Sequence, residues 1–344
     1  MLFANVNGNV FQQLPGAVVS GAVKGGSGTD TLDLGSAATT GTITGIGTQF
    51  TGFEVLSVDA GAVWSLTGAN TLLSAATVGL GGSSTLNVTG ALTAPGNLTL
   101  NGTGTLAAAG GHVEVGTAGT AAANQVAVDS AHTLSVSGGA ANALTVAGTV
   151  ANAGAVVITG GQVAFSGPLT GAGTLQVNSA DALALNGVAN TVGSVLNNGR
   201  VTIGASDSLV VTGTLDPPTP GLYVLTNASF LEAAAAAGSN NQISFLGASG
   251  DRLVVDAVAQ FGTNVGHVTY AGPKLENFGA LDTIDLKNLV PGTAKIDSYT
   301  PATGLLQLHS GSTMATLFFD NATLGPGSFR LAADSGTGTM LTRS

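Results

Sequence analysis

The runs Thr85-Leu86-Asn87-Val88, Asn97-Leu98-Thr99-Leu100, Thr133-Leu134-Ser135-Val136, Ala143-Leu144-Thr145-Val146, Thr174-Leu175-Gln176-Val177 and Ser208-Leu209-Val210-Val211 are one short strand written six times. In each, Leu or Val recurs at every second residue, which is the period of a pleated strand with one face buried. Gly or Asn-Gly separates the runs, and the 344 residues include 53 glycines. A small unit repeated this often is the signature of a stacked, quasi-one-dimensional fold.

Corresponding leucines fall about 8–12 residues apart, as in Leu86 to Leu98 and Leu134 to Leu144, so two or three steps make a turn of roughly 20 to 30 residues. The expectation is an all-β chain built as a right-handed parallel β-helix, with like strands stacked about 4.8 Å apart. At 20–25 residues a turn it would hold roughly 14–17 turns. A β-sandwich is the alternative, because Asn7-Gly8, Asn101-Gly102, Asn186-Gly187 and Asn198-Gly199 are the dipeptides of tight hairpins. The shortness and uniformity of the units favour the solenoid.

Composition narrows the function classes. Charged residues are 8% of the chain, against about 25% in ordinary globular proteins. Apolar residues are 44%, which separates the chain from disordered sequences, with their low hydrophobicity and high charge. The net charge is −10, and Lys24 is the sole basic residue before Arg200. Nucleic-acid binding requires a basic stripe to neutralise phosphates, and the sequence has none. There is no cysteine, so disulfides and thiolate metal sites are excluded. No apolar run reaches the length of a membrane-spanning helix. The start, Met1-Leu2-Phe3-Ala4-Asn5, lacks the basic and apolar regions of a signal peptide. An excised fragment and export by a C-terminal signal are the two readings of that start.

Asp216-Pro217-Pro218-Thr219-Pro220 breaks the pattern. It divides a repetitive solenoid over 1–215 from a decorated continuation with capping over 216–344, which carries all three tyrosines and most of the basic residues. Leu231-Glu232 followed by Ala233 to Ala237 is the one helix expected.

Candidate sites are few. Gly25-Gly26-Ser27-Gly28-Thr29-Asp30-Thr31-Leu32-Asp33 matches the nonapeptide of calcium-binding β-rolls. Asp30 and Asp33 are therefore candidate calcium ligands, glycine turns and a hard carboxylate oxygen being what the cation requires. Calcium in such rolls sits between successive turns, so one copy supplies half a site. The nearest echo, Gly247-Ala248-Ser249-Gly250-Asp251-Arg252-Leu253, has its Asp one place early. Apart from calcium no cofactor is expected. Asp282 and Asp285 are read as solvated residues at a strand edge. His112, His132, His267 and His309 have no metal-ligand spacing. Trp64 alternates with Ala62 and Leu66, which places it in the core.

No Gly-x-Ser-x-Gly elbow or phosphate-binding loop is present, and the carboxylates before residue 200 are widely spaced. The chain is expected not to be an enzyme. The competing reading, a polysaccharide-active β-helix, would draw on Asp251, Arg252, Asp256, His267 and Lys274. A passive glycan-binding module would use Tyr223, Tyr270 and Tyr299.

Gly45-Ile46-Gly47-Thr48-Gln49-Phe50-Thr51-Gly52-Phe53-Glu54, with Val58-Asp59-Ala60-Gly61-Ala62-Val63-Trp64-Ser65-Leu66-Thr67-Gly68-Ala69-Asn70, resembles the repeat unit of large β-strand-repeat surface proteins of Gram-negative bacteria, including autotransporter and adhesin passengers. Asp282-Thr283-Ile284-Asp285-Leu286 and Phe329-Arg330-Leu331-Ala332-Ala333-Asp334-Ser335-Gly336-Thr337-Gly338-Thr339-Met340-Leu341 are similar to segments of the same proteins. The resemblance implies a secreted or surface-attached β-solenoid acting in adhesion, as a matrix component or as a stalk. Its partners would be further copies of itself, glycans or a cell surface, and no family catalytic residue carries over. The chain lacks a recognisable C-terminal membrane barrel. A solenoid end with unpaired strand edges templates further stacking, so self-assembly into filaments or layers is the accompanying expectation.

Overall fold

A computed structural model describes residues 8–116, 123–131, 133–141, 143–215 and 221–344. Strands take 52% and helix 1% of the chain, and successive parallel turns stack as a β-solenoid of about 11 turns. Among the described residues the strands pair in parallel up to Thr283, and antiparallel strand pairs occur only from there on, apart from one isolated bridge at Thr263↔Ala271, which rules out the sandwich. Most turns are 20 to 24 residues long, as the partners Thr31↔Val55, Val55↔Thr77 and Thr174↔Ser194 show. The turns are fewer than the length suggests for two reasons. Some turns are long, Leu98↔Leu134 spanning 36 residues and Leu253↔Ile284 spanning 31, and the last segment leaves the coil for hairpins. The 216–220 proline cluster and His132 lie outside the described residues.

The chain divides into two compact units, Met1–Gly173 and Thr174–Ser344. In the first, three parallel sheets share each turn, and the inward residues line up by register. One column runs Leu32, Leu56, Val78, Leu100, Val136 and Ile158, every member buried. Another runs Trp64, Leu86, Leu106, Val146 and Phe165. Trp64 is fully buried, with its indole N–H donating to the Gly35 carbonyl at 2.9 Å. Its partner one turn back is Gly41, where a Cβ would lie 2.5 Å from the indole ring. A small residue beneath a large one keeps that layer full. The 36-residue turn arises because His112–Val115 and Gln125–Val128 pair directly, His112↔Gln125, so the third sheet takes two strands from that one turn.

The second unit repeats the plan, with columns such as Leu209, Leu231, Leu253 and Ile284, and then closes it. Thr283–Leu286 takes Thr339–Arg343 as an antiparallel neighbour, which in turn pairs with Phe329–Ala333. On the other sheet Lys274–Glu276 is followed by Thr313–Phe319, Leu305–Ser310 and Lys295–Thr300, an antiparallel meander. Its outermost strand carries Lys295 and Asp297 and a bulge at Ile296/Ser298, devices that discourage further strand addition.

The expected helix is absent. Phe230–Ala233 is a strand in the parallel ladder, and the one helical element among the described residues is a 3-10 turn at Val258–Gln260. Ala-rich composition favours helix by tenths of a kcal/mol per residue, and ladder pairing on both sides with burial of Leu231 and Ala233 outweighs it. Gly41→Ala is expected to lower the urea midpoint of the first unit by the equivalent of about 1–3 kcal/mol through overpacking. Gly82→Ala, which meets only the Thr103 hydroxyl at 3.5 Å, should leave it unchanged. Fluorescence of Trp64, the single tryptophan, is the readout.

Candidate functional site

Asp30 sits immediately before the strand Thr31–Leu34, at a corner of the coil. Its side chain is buried and accepts hydrogen bonds from the Asn9 backbone N–H and side-chain amide, both at 2.7 Å, and from Gly26 N–H at 2.6 Å. Gly26 N–H foremost holds its carboxyl below the usual range, against the opposing effect of burial. Its own N–H donates to Glu54 Oε2 one turn on, at 2.7 Å. Asp33, on the strand, accepts from Gln12 Nε2 at 2.8 Å. Both carboxylates thus meet N–H donors, and among the described residues no three of His, Asp and Glu gather as a cation site would need.

The echo at 247–253 has the same geometry. Asp251 precedes the strand Arg252–Val255 and accepts from Ser229 N–H at 3.0 Å, while its own N–H donates to Asp282 Oδ1 at 2.9 Å. The two Gly-rich motifs are corner devices that tie each turn to the next. Asp282 is therefore buried rather than solvated, and Gly279 N–H donates to its second oxygen at 2.8 Å.

A connected ion network lies where the second unit closes. Asp285 is fully buried, the second correction to the expected solvated pair, because the strand Thr339–Arg343 lies alongside it. It pairs with Arg252 and with Lys287 Nζ at 2.7 Å, and Lys287 also reaches Asp334 Oδ2 at 2.9 Å. Hydrogen bonds to Asp285 and Asp334 hold the Lys287 ammonium above its usual range, and Lys287 holds Asp334 below its own. The Asp334 carboxylate further accepts from Gly336 and Gly338 N–H. A Cβ at Gly338 would lie 2.9 Å from Lys287 Cα and 3.1 Å from Asp285 Oδ1, so glycine is needed there for close approach. The guanidinium of Arg252 lies 5.7 Å from the Phe230 ring centroid, a cation–π contact.

Beside this network is an open groove of about 530 Å³ lined by Glu232, Asp256, Lys287, Asn288 and Thr337. Burial, then the neighbouring Asp256, raises the Glu232 carboxyl above its usual range. Two carboxyls and an ammonium on successive turns can accept and donate hydrogen bonds to a polyhydroxylated ligand. Of the residues expected at such a site, Asp256 lines the groove and Arg252 belongs to the ion network beside it. Asp251 is at the corner, His267 is exposed on a loop, and Lys274 pairs with Asp320 at 2.8 Å and Glu276 at 3.4 Å.

Glu232 was hidden in the expected helix. The alternation Leu231-Glu232-Ala233 was the signal that would have placed it outward on a strand. Tyr223 is fully buried, and Tyr270 is buried with its hydroxyl donating to the Phe261 carbonyl at 2.7 Å, so neither offers a ring to a glycan. Tyr299 is half-exposed, its ring 5.0 Å from Phe329.

No family model and no curated protein matches the chain. Lys287→Met is expected to cost the closing strands about 1–2 kcal/mol, below the range for fully buried charged hydrogen bonds because the lysine is partly exposed. Hydrogen exchange should accelerate at Thr339–Arg343 and stay unchanged at Thr85–Val88.

Proposed function

We propose that the chain is an extracellular structural and adhesive solenoid, a surface component of a Gram-negative bacterium that associates laterally with copies of itself. The observation that carries this reading is the outward surface of the first unit. Val55, Thr77, Thr99, Ser135 and Val157 stand in register on one sheet, and Val63, Thr85, Thr105, Thr145 and Ala164 on the next. These are ordered rows of small hydroxyl and apolar groups with no charge. Like rows meet without desolvating ions, and the hydroxyls supply hydrogen bonds across the contact. Placement outside the cell is supported by the resemblance at 45–70 and 282–341 and is compatible with a chain free of cysteine. Association through the sides is favoured because reversed, charged strands close the sheets of the second unit. Light scattering on the purified chain should show mass rising with concentration, unchanged in about 1 M salt because uncharged contacts are not screened. Negative-stain images should show lateral bundles. A monodisperse monomer across a wide concentration range defeats the reading.

The groove at Glu232, Asp256 and Lys287 favours a second reading, a glycan-contacting site on the same scaffold. Calorimetric titration with neutral and amino-sugar oligosaccharides is the check. Binding that Glu232→Gln weakens about tenfold, the effect of roughly one charged hydrogen bond, supports it, and no heat with either class removes it.

A further inference from the structure

Asp30 and Asp251 occupy equivalent corners and make the same two inter-turn bonds, yet their surroundings differ. Asp30 meets three N–H donors shared over its two oxygens. Asp251 is equally buried, but Oδ1 receives both the Ser229 N–H and, at 3.4 Å, the Ser229 hydroxyl, while Oδ2 is buried with no partner. The next carboxylate in the ladder, Asp282, accepts the Asp251 N–H itself, so a like charge stands one turn away.

We propose that the Ser229–Asp251–Asp282 corner is an acid-tightened clamp, which joins its three turns most firmly with one proton on the Asp251 carboxyl and slackens when that proton leaves. A buried oxygen without a donor disfavours the charged form, and so does a neighbouring carboxylate. Burial, reinforced by Asp282 and opposed by the Ser229 hydrogen bonds and the Ala228 N–H, pushes Asp251 up to about 6. Among the described residues the charged groups around the corner give little relief. Asp282 is acidic, the Arg252 guanidinium is directed to Asp285, and Asp207, before the strand that pairs with Phe230–Ala233, is itself raised by burial. The corner has no room to open gently, since a Cβ at Gly250 would lie 2.0 Å from the Leu281 carbonyl oxygen.

The folded state binds this proton more tightly than the unfolded chain. The stabilisation is therefore complete below the ordinary carboxylate value and is lost as pH rises through about 6. Asp30, held low, contributes with the opposite sign, its stabilisation being lost as the medium becomes strongly acidic.

The test is urea denaturation of the full chain from pH 4.5 to 7.5, with hydrogen exchange at residues 252–255 and 283–286 as the local readout. The wild-type second unit should lose stability and protection towards pH 7.5, and Asp251→Asn should reduce that loss, leaving the part that Asp207 and Glu232 contribute, while Asp30→Asn leaves all of it in place. Equal pH slopes in wild type and Asp251→Asn overturn the proposal. Should the Asn variant fail to fold, the carboxyl carbon of Asp251 in the wild type, followed by NMR, decides. A midpoint near 6 upholds the clamp, and one in the ordinary carboxylate range removes it.

Discussion

Each turn of this molecule satisfies its backbone by bonding to the turns before and after it, and that constraint governs nearly every residue choice. A turn that changed length by one residue would move its inward side chains outward, so register holds the apolar columns and the columns hold register. The strands meet this demand automatically. The corners do not, because a chain that bends leaves N–H groups aimed along the stack. Side chains complete the ladder there. Asn70 accepts from Ile46 N–H and donates to the Thr67 and Ala91 carbonyls, while Asp30, Glu54, Asp251 and Asp282 receive backbone N–H groups from the preceding turn.

That role explains where a chain so poor in charge places its acids. Asp30, Glu54, Asp181, Asp207, Asp251 and Asp282 each stand directly before a strand, six of 18 acidic residues. A carboxylate accepts from N–H groups more strongly than an amide does, which suits a buried corner. The same choice becomes a liability where donors run short. At Asp251 the acid remains the geometric solution, but its second oxygen has nothing to accept.

Strand positions and inward residues were legible in the sequence because alternation over four residues and glycine between runs are local signals. Trp64 fell in the core as its neighbours Ala62 and Leu66 indicated. Three things were not legible, each for a physical reason. Leu231 to Ala237 carries a helical composition and a strand register, and only partners some 22 residues away decide between them. The inter-turn bonds of Asp30 and Asp33 could not be read at 25–33, because their partners Asn9 and Gln12 lie 21 residues earlier. Asp285 reads in the sequence as solvated charge because the strand that lies alongside it comes from more than 50 residues later.

The two units differ most in how they fill their middles. Aliphatic columns suit a coil that repeats, since Leu and Val of similar volume stack on themselves turn after turn. A coil that stops has no next layer to cover its last one. In the second unit the filling changes to rings: Phe245, Phe278, Phe319, Phe329 and Tyr299 follow one another at 4.9 to 5.4 Å, edge-on at the two ends of the series and tilted between. The first three are buried and the last two half-exposed, so the series carries the core out to the surface. Each ring covers more area than an aliphatic side chain at little cost in rotamer freedom. Arg343, 4.9 Å from the centroid of Phe329, covers the outer part of the series. The aromatic series and the ion network at Lys287 therefore do one job by two means, joining reversed strands to a parallel coil whose own hydrogen-bond pattern would otherwise call for another turn.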